Sequence, residues 1–213
     1  MVPADVARQL QQICCVSRET LDGLEHLVAR AAAWSLKINL VAVPSVDVLW
    51  QRHVLDSAQL FPLQKANARK WCDLGSGGGF PGLVIAILAR ELQSGMSVTL
   101  VESDRRKAAF LQVMVRELTL NANVAAIRAE TLAQQEADTV SARALAPLRS
   151  LLPLVERHLA NDGAALLPKG RHYAEEIAEA QRDWAFTVET FESIVSPQSR
   201  ILRVTNLRRI DVN

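Results

Sequence analysis

The chain has 213 residues, of which 49% are hydrophobic and 22% charged, and its formal net charge at pH 7 is +1. These proportions are typical of a globular protein and exclude a wholly disordered, collagen-like or coiled-coil chain. The longest uninterrupted apolar run, residues 83–89, is far too short for a membrane span. With no basic start followed by an apolar stretch, and only three cysteines, we expect a cytoplasmic protein without a membrane segment.

The first seventy residues have helical periodicity. Apolar residues recur at helical spacing from Leu21 to Ser35 and again from Val46 to Leu60, and Ser45 is placed to cap the second segment. We therefore predict an N-terminal helical cap over residues 1–70, forming one compact unit with a second domain over 71–213.

From Trp71 onward, short apolar runs alternate with helical ones. Helices are predicted over 81–92, after Asp104, after Pro147 and over 173–182, and the sequence Asn161-Asp162-Gly163 is expected to turn the chain. The predicted strands are 71–74, 98–102, 124–129, 139–142, 164–167, 186–191 and 201–207. This alternation predicts an α/β, Rossmann-like, mostly parallel sheet with helices on both faces. The last two strands, which have no helix between them, predict an antiparallel edge hairpin.

A glycine-rich loop, Asp73 to Gly82, follows the first predicted strand and opens the first helix of this domain. Its acidic-x-Gly-x-Gly-x-Gly start, Asp73 to Gly79 with Gly75 and Gly77 inside it, is typical of S-adenosylmethionine enzymes, in which the acid can face the cationic amino group of the cofactor. A dinucleotide motif, G-x-G-x-x-G, is met only from Gly77, later than a tight turn after the strand requires. A purely structural turn is the third interpretation.

Two further acids follow predicted strands. Glu102 ends the second strand, where a carboxylate can accept both ribose hydroxyls of either cofactor; the alternative is a solvated strand-end acid. Ala129 and Glu130 end the third strand, next to the expected position of an adenine ring. For Glu130, a helix-capping role is the alternative.

Several catalytic groups are missing from the places where a methyltransferase would carry them. An Asn/Asp-Pro-Pro-aromatic motif is absent after the fourth strand, where residues 141–144 read Ser-Ala-Arg-Ala, and no cysteine is placed as a nucleophile. No spacing of Cys and His indicates a metal. An acceptor such as guanine N7 needs no base, only alignment and exclusion of water. Arg143 suits the cofactor carboxylate or a guanine edge, with a plain ion pair as the alternative.

The chain resembles one family in particular. Five segments carry the likeness: 73–83 (DLGSGGGFPGL), 52–57 (RHVLDS), 39–40 (NL), 141–144 (SARA) and 168–170 (PKG). They are similar to the bacterial glucose-inhibited division protein B family, also called RsmG, over roughly residues 34–210. The resemblance implies a Rossmann-like, class I S-adenosylmethionine-dependent methyltransferase with a helical cap. It also implies, as the reaction, N7 methylation of guanine 527 in 16S rRNA.

The resemblance also implies site residues. By position in the motifs, the cofactor contacts would be Gly75, Phe80, Ala129, Glu130 and Arg143. Many members have an aliphatic residue where this chain has Phe80, so pocket packing is expected to differ there.

The role of the His53–Asp56 pair is left open. The two residues stand three apart in a predicted helix, and either they lie near the methyl-transfer end or they hold the cap to the core. No residue is assigned a certain catalytic role, although His53 and Arg143 are candidates for positioning. Basic residues at the same sheet edge are candidate RNA contacts: Lys169, Arg171, Arg200 and Arg203, with His172, Arg208 and Arg209 nearby.

The leading hypothesis is thus S-adenosylmethionine-dependent methylation of 16S rRNA, in the small ribosomal subunit or in an assembly intermediate. A small-molecule methyltransferase is the alternative with the same fold. A nucleotide-binding module without turnover is the alternative from another class. The sequence leaves the oligomeric state open.

Overall fold

Helices fill the first third of the chain, and strands alternate with helices in the rest of the computed structural model, which describes residues 1–41 and 45–210. The cap consists of α1 (Ala4–Cys14), α2 (Arg18–Ser35), α3 (Val46–Leu49), a π-helical turn (Trp50–Leu55), α4 (Asp56–Ala58) and a 3₁₀ turn (Phe61–Leu63). The predicted N-cap at Ser45 is confirmed, because its hydroxyl accepts a hydrogen bond from the backbone of Val48.

The remaining elements form one seven-stranded sheet flanked by helices. In chain order they are β1 (Lys70–Leu74), α5 (Gly82–Leu92), β2 (Ser97–Val101), α6 (Arg105–Glu117), β3 (Ala122–Ala125), β4 (Ala137–Ala142), α7 (Leu148–His158), β5 (Leu159–Lys169), α8 (Tyr173–Ala180), β6 (Trp184–Glu192) and β7 (Arg200–Arg209). The strand order is β3-β2-β1-β4-β5-β7-β6. Strands β1 to β5 pair in parallel, and β7 pairs antiparallel with both β5 and β6. The predicted parallel sheet with an antiparallel edge hairpin is confirmed.

The sheet separates two hydrophobic cores. Successive side chains of a strand point to opposite faces, so Trp71 joins the core shared with the cap, α5 and α6, whereas Cys72 and Leu74 join the core under α7 and α8. Helix α5 is buried from Gly82 to Ala89, since it packs between the cap helices α2 and α4 and strand β2. A helix that is apolar on all sides has to be buried on all sides. The division of the chain near residue 70 stays a prediction.

Two details differ from the sequence-based expectation. Strand β3 ends at Ala125, not at residue 129, so Ala129 and Glu130 lie in a turn beyond the strand. No helix follows this turn between residues 131 and 136, and the helix-capping role for Glu130 is therefore wrong.

The predicted turn at residues 161–163 is also wrong, because these residues lie inside β5. Between two pairs of partners, Ala137 with Leu159 and Thr139 with Ala164, β5 has more residues than β4. The strand absorbs the excess as a bulge, and its polar residues 161 and 162 stay exposed. In the described ranges, the structure has no helix whose length and hydropathy would let it cross a bilayer.

Candidate active site

The glycine loop between β1 and α5 has one half that borders open space and one half that is tightly packed. Gly75, Gly77 and Gly79 have φ values of +68°, +52° and +87°, which L side chains rarely adopt. A Cβ atom on Gly77 would meet nothing closer than a backbone oxygen at 3.8 Å, so this glycine borders open space. A Cβ atom on Gly79 or Gly82 would instead lie 2.3 Å from a leucine side chain, so these two glycines allow tight packing behind the loop.

Asp73 lies underneath this loop and is fully buried. One carboxylate oxygen accepts a hydrogen bond from the backbone of Gly82 at 3.1 Å, and the other accepts one from the Ser141 hydroxyl at 2.7 Å. Burial raises the pKa of this carboxyl to about 6. The side chain therefore fastens the loop to β4, and the contact of Asp73 with a cofactor amine stays a prediction.

Glu102 follows β2 and joins two backbone segments. Its Oε2 accepts a hydrogen bond from the backbone of Gly77 at 2.8 Å, and its Oε1 accepts one from Asp104 at 2.7 Å. Asp104 in turn caps α6 as predicted. Because each carboxylate oxygen has two lone pairs, Glu102 keeps acceptor capacity for a ligand hydroxyl.

A cavity of about 330 Å³ opens in front of the glycine loop. Its lining brings together six of the eight residues predicted to bind the cofactor: Gly75, Gly77, Glu102, Ala129, Glu130 and Arg143. Asp73 and Phe80 are outside it; Phe80 is buried, with its ring centroid 5.0 Å from that of His53. We call this space the cofactor cavity, after the role that the sequence predicts for these residues.

A second cavity, of about 580 Å³, adjoins the first. The two share the residues 143–145, which follow β4. The larger cavity is lined by Asp56 of the cap and by loops after β4, β5 and β6. We call it the acceptor cavity. Leu145 stands at the boundary, where its side chain comes within 2.7 Å of a Cβ placed on Gly75.

Arg143 joins the cap to the sheet edge at this boundary. Its Nη1 donates to the Arg52 carbonyl at 2.9 Å and lies 3.4 Å from an Asp56 oxygen, and its Nη2 lies 2.5 Å from His53 Nδ1. Because arginine has no acceptor, His53 Nδ1 must accept this hydrogen bond. His53, in the π-helical turn, and Asp56, the first residue of α4, thus meet through Arg143.

The electrostatics of this cluster are set by burial. Desolvation and the nearby Arg143 and Arg52 charges lower the pKa of His53 to about 4. Burial raises the pKa of Asp56 above its usual range, while Arg143 and the side chains of Gln59 and Ser193 act in the opposite direction. Near neutral pH, His53 is therefore an uncharged acceptor and not a free base.

The four candidate RNA contacts have different surroundings. Lys169 and Arg200 line the acceptor cavity, but Lys169 is largely buried and bonded to Glu176, and Arg200 contacts Glu192 and the Tyr173 ring. Arg203 pairs with Glu189 across the hairpin. Arg171 is exposed, and its one hydrogen bond to a side chain in the described chain is to the neighbouring His172.

Sequence reasoning missed several residues of the two cavities. Lys107 and Arg128 line the cofactor cavity, and Glu176, Ser193 and Ser199 line the acceptor cavity. His158, at the end of α7, is fully buried and donates from Nε2 to the Ala129 carbonyl at 2.9 Å, while its Nδ1 has no hydrogen-bond partner within residues 1–41 and 45–210. The position of Lys107 in the first turn of α6 was the one available signal. The others come from elements distant in sequence.

The arrangement suits transfer between two bound molecules. One cavity is bordered by glycine backbone, a strand-end carboxylate and an arginine, and its neighbour by basic side chains and two carboxylates. Over the described ranges, no group of three or more His, Cys, Asp and Glu side chains could hold a metal ion.

The chain matches the family described as "GidB: rRNA small subunit methyltransferase G" over residues 20–203. It is 47% identical to the ribosomal RNA small subunit methyltransferase G of Cereibacter sphaeroides strain ATCC 17023, over 92% of this chain and 95% of that protein. The protein of the same name from Rhodospirillum centenum is 46% identical, over 96% of this chain and 93% of the relative.

Solved structures are similar in fold. A methyltransferase from Geobacter sulfurreducens superposes with a TM-score of 0.57 at 16% identity, covering 84% of this chain and 87% of that one. TYW2 of M. jannaschii in complex with AdoMet gives a TM-score of 0.56 at 12% identity, covering 75% and 77%. The predicted fold, that of the Rossmann-like methyltransferases, is confirmed.

Proposed function

We propose a specific reaction for this chain from the premise that it belongs to the rRNA small subunit methyltransferase G family. As a member it is an S-adenosylmethionine-dependent methyltransferase that acts on 16S rRNA, as the sequence motifs predicted. The proposed acceptor atom is N7 of a guanine, the one designated 527. This membership is evidence against a small-molecule acceptor, and against a nucleotide-binding module without turnover.

The observation that carries the proposal is the pair of adjoining cavities with Arg143, Ala144 and Leu145 between them. Methyl transfer is a direct displacement, so donor and acceptor must be held in line at short range. Two cavities with a common boundary would let the two molecules meet at that boundary.

The residues of the cofactor cavity fit S-adenosylmethionine. Gly77, whose side-chain position is open, lets the backbone approach the ligand, and Glu102 can accept ribose hydroxyls. The turn with Ala129 and Glu130 would border the adenine, and Arg143 would hold the methionine carboxylate. When bound, the cofactor supplies an electrophilic methyl group on a sulfonium.

The surroundings of His53 support an acceptor that needs no base. The lone pair of His53 Nδ1 is used by Arg143, and burial keeps the ring neutral near pH 7. Asp56 contacts Arg143 and Gln59. Guanine N7 carries no proton at neutral pH, so its lone pair attacks the methyl carbon as the carbon–sulfur bond breaks. The protein then needs to align the two molecules and exclude water.

Product mapping tests this proposal. Small subunits from cells without the enzyme are incubated with purified protein and labelled S-adenosylmethionine, and the methylated 16S rRNA is digested and the nucleoside identified. The expected product is 7-methylguanosine at one position. A label on another atom or base would contradict the N7 proposal while leaving the methyltransferase assignment intact. The same assay with naked 16S rRNA distinguishes a free RNA from an assembled subunit or an assembly intermediate.

We further propose that the assembled subunit or a late intermediate is the substrate, and that the enzyme is cytoplasmic for this reason. The basic residues around the acceptor cavity are the candidate RNA contacts. Because most of them are paired within the protein, the local charge available for phosphates is small. A structured RNA surface, which offers several contacts at once, fits such a site better than a flexible single strand.

A further inference from the structure

The proposed reaction leaves one edge of the guanine for recognition. If N7 attacks the methyl group, a residue that hydrogen-bonds to N7 would block the reaction. The enzyme must then recognise the base through the edge opposite N7, where N1–H and the 2-amino group are adjacent donors. An ionised carboxylate accepts hydrogen bonds and donates none, so it can accept from both groups.

Two carboxylates line the acceptor cavity in the described part of the chain, Asp56 and Glu176. Glu176 is bound to the protein through Oε2, which accepts from the Leu148 backbone at 2.7 Å and from Lys169 Nζ at 2.8 Å. These contacts fix the start of α7 against α8. Glu176 also has no contact with Arg143, the side chain that lines both cavities.

Asp56 lies closer to the boundary between the cavities. Its Oδ1 accepts a hydrogen bond from Gln59 at 2.8 Å, its Oδ2 lies 3.4 Å from Arg143 Nη1, and the Ser193 side chain is also close to this carboxyl. Because a carboxylate has about four lone-pair sites, both oxygens can accept another donor. Asp56 does not line the cofactor cavity. A base whose donor edge lies on Asp56 can thus direct its N7 edge towards the shared residues.

A buried link holds the Asp56 carboxylate in place. Gln59 donates to Asp56 and lies 3.3 Å from the Ser193 hydroxyl, and its own oxygen accepts from the Ile194 backbone at 3.0 Å. Cap and hairpin together therefore orient the acceptor before a ligand arrives. An acceptor already in position costs little side-chain entropy on binding.

We propose that Asp56 determines base specificity by accepting hydrogen bonds from N1–H and the 2-amino group of the acceptor guanine. This inference rests on the proposed function, because it assumes that the acceptor atom is N7. The role differs from that of a plain structural tie to Arg143, which would contribute equally to any base.

The test uses inosine, which keeps N7 and N1–H and lacks the 2-amino group. Small subunits are assembled from 16S rRNA ligated to carry guanine or inosine at the target, and single-turnover methylation is measured on both. Loss of one hydrogen bond to a charged acceptor should lower the wild-type rate constant at subsaturating subunit about tenfold to a hundredfold on inosine. In Asp56→Asn, the ratio of the guanine rate to the inosine rate should fall clearly below the wild-type ratio, because the amide nitrogen replaces one of the two acceptor oxygens with a donor.

Glu176→Gln is the matched variant, since it makes the same change of carboxylate to amide in the same cavity. It should keep the wild-type ratio of guanine to inosine. The proposal is overturned if wild-type enzyme shows no inosine penalty, if Asp56→Asn keeps it, or if Glu176→Gln removes it. Any effect of inosine on RNA folding is the same for every variant, so it cancels when the ratios of two variants are compared.

If Asp56→Asn is inactive on both substrates, the ratio of the two binding constants is measured instead, with small subunits that carry guanine or inosine and with S-adenosylhomocysteine present. Thermal melting checks that the variant is folded, and Asp56→Glu, which keeps the charge, replaces it if it is not. An inosine penalty that is retained in folded Asp56→Asn, or that is lost entirely in Asp56→Glu, overturns the proposal. Failure of the N7 assignment itself would appear separately, as wild-type methylation at another atom.

Discussion

The cofactor cavity and the acceptor cavity are built in different ways. Most residues of the first follow a parallel strand directly or lie within a short turn beyond it: Gly75 and Gly77 after β1, Glu102 after β2 and Arg143 after β4. The second is assembled from the cap, the loop after β4, the end of β5 with α8, and the connection between β6 and β7. A cavity at the edge of a parallel sheet therefore depends on local chain geometry, while the other depends on how distant elements pack. Substitutions should affect binding of the two substrates separately.

The largest expected effect is loss of cofactor binding in Gly77→Val. A branched side chain would fill the open space in front of the loop, and φ of +52° is unfavourable for it by about 1–2 kcal/mol. Calorimetry with S-adenosylmethionine should detect no binding, while circular dichroism shows a folded protein. Gly95→Val, at an exposed glycine away from both cavities, is the control and should bind normally. Unchanged affinity in Gly77→Val would disprove the placement of the cofactor.

Glu102→Ala should weaken cofactor binding by about 1.5–3 kcal/mol, the usual range for hydrogen bonds to a charged group. The same change removes the acceptor for the Gly77 backbone and so loosens the loop. Calorimetry gives the affinity, and filter binding of small subunits provides the comparison. An effect confined to the RNA would show that Glu102 serves the other cavity.

His158→Phe tests whether buried support far from the ligand matters for the cofactor cavity. The variant removes the donor to the Ala129 carbonyl, and an unpaired buried carbonyl costs about 1–3 kcal/mol. Part of this cost should appear in stability, and part as weaker binding at the Ala129 turn. Denaturant unfolding and cofactor calorimetry are measured together. Val155→Ala, a change in the same buried face of α7, should reduce stability without the selective loss of cofactor affinity.

His53→Gln tests whether the histidine at the boundary between the cavities acts as a base or only contacts Arg143. With a pKa of about 4, His53 stays neutral from pH 6 to 9, so the single-turnover rate should not titrate in this range. The variant should be slower by only a few-fold, through loss of the contact with Arg143. An acid limb near pH 6.5 in the wild-type profile that disappears in His53→Gln would instead identify His53 as a base.

The smallest effect is expected for Arg171→Ala. Its exposed guanidinium is available for a phosphate, and its removal should weaken subunit binding by about 1 kcal/mol or less. The salt slope, which is the slope of the logarithm of the binding constant against the logarithm of the salt concentration, should fall in magnitude by about one unit or slightly less. Arg203→Ala, in which a residue paired with Glu189 is removed, is the control and should leave the salt slope unchanged. Equal salt slopes for both variants and the wild type would show that Arg171 does not contact an RNA phosphate.

The outline of the fold was predictable from the sequence because its signals are local. Asp104 accepts from the backbone of α6 two and three residues away, and Ser45 caps α3 in the same manner. The glycine loop has its turn geometry from its own residues. The bulge in β5 was misinterpreted as a turn for the same reason, since Asn161, Asp162 and Gly163 favour turns locally and only pairing with β4 makes them part of a strand.

The sequence by itself determined the order of the elements, the loop that borders the cofactor and the family to which the motifs belong. Tertiary structure alone decided what each charged side chain does. Asp73 is opposite Ser141 in the register of β1 and β4, and this pairing makes its carboxylate a buried anchor for the loop. Arg143 meets His53 and Asp56 across about ninety residues of chain. Backbone preferences act over a few residues, whereas burial and ion pairing depend on neighbours that only packing brings together.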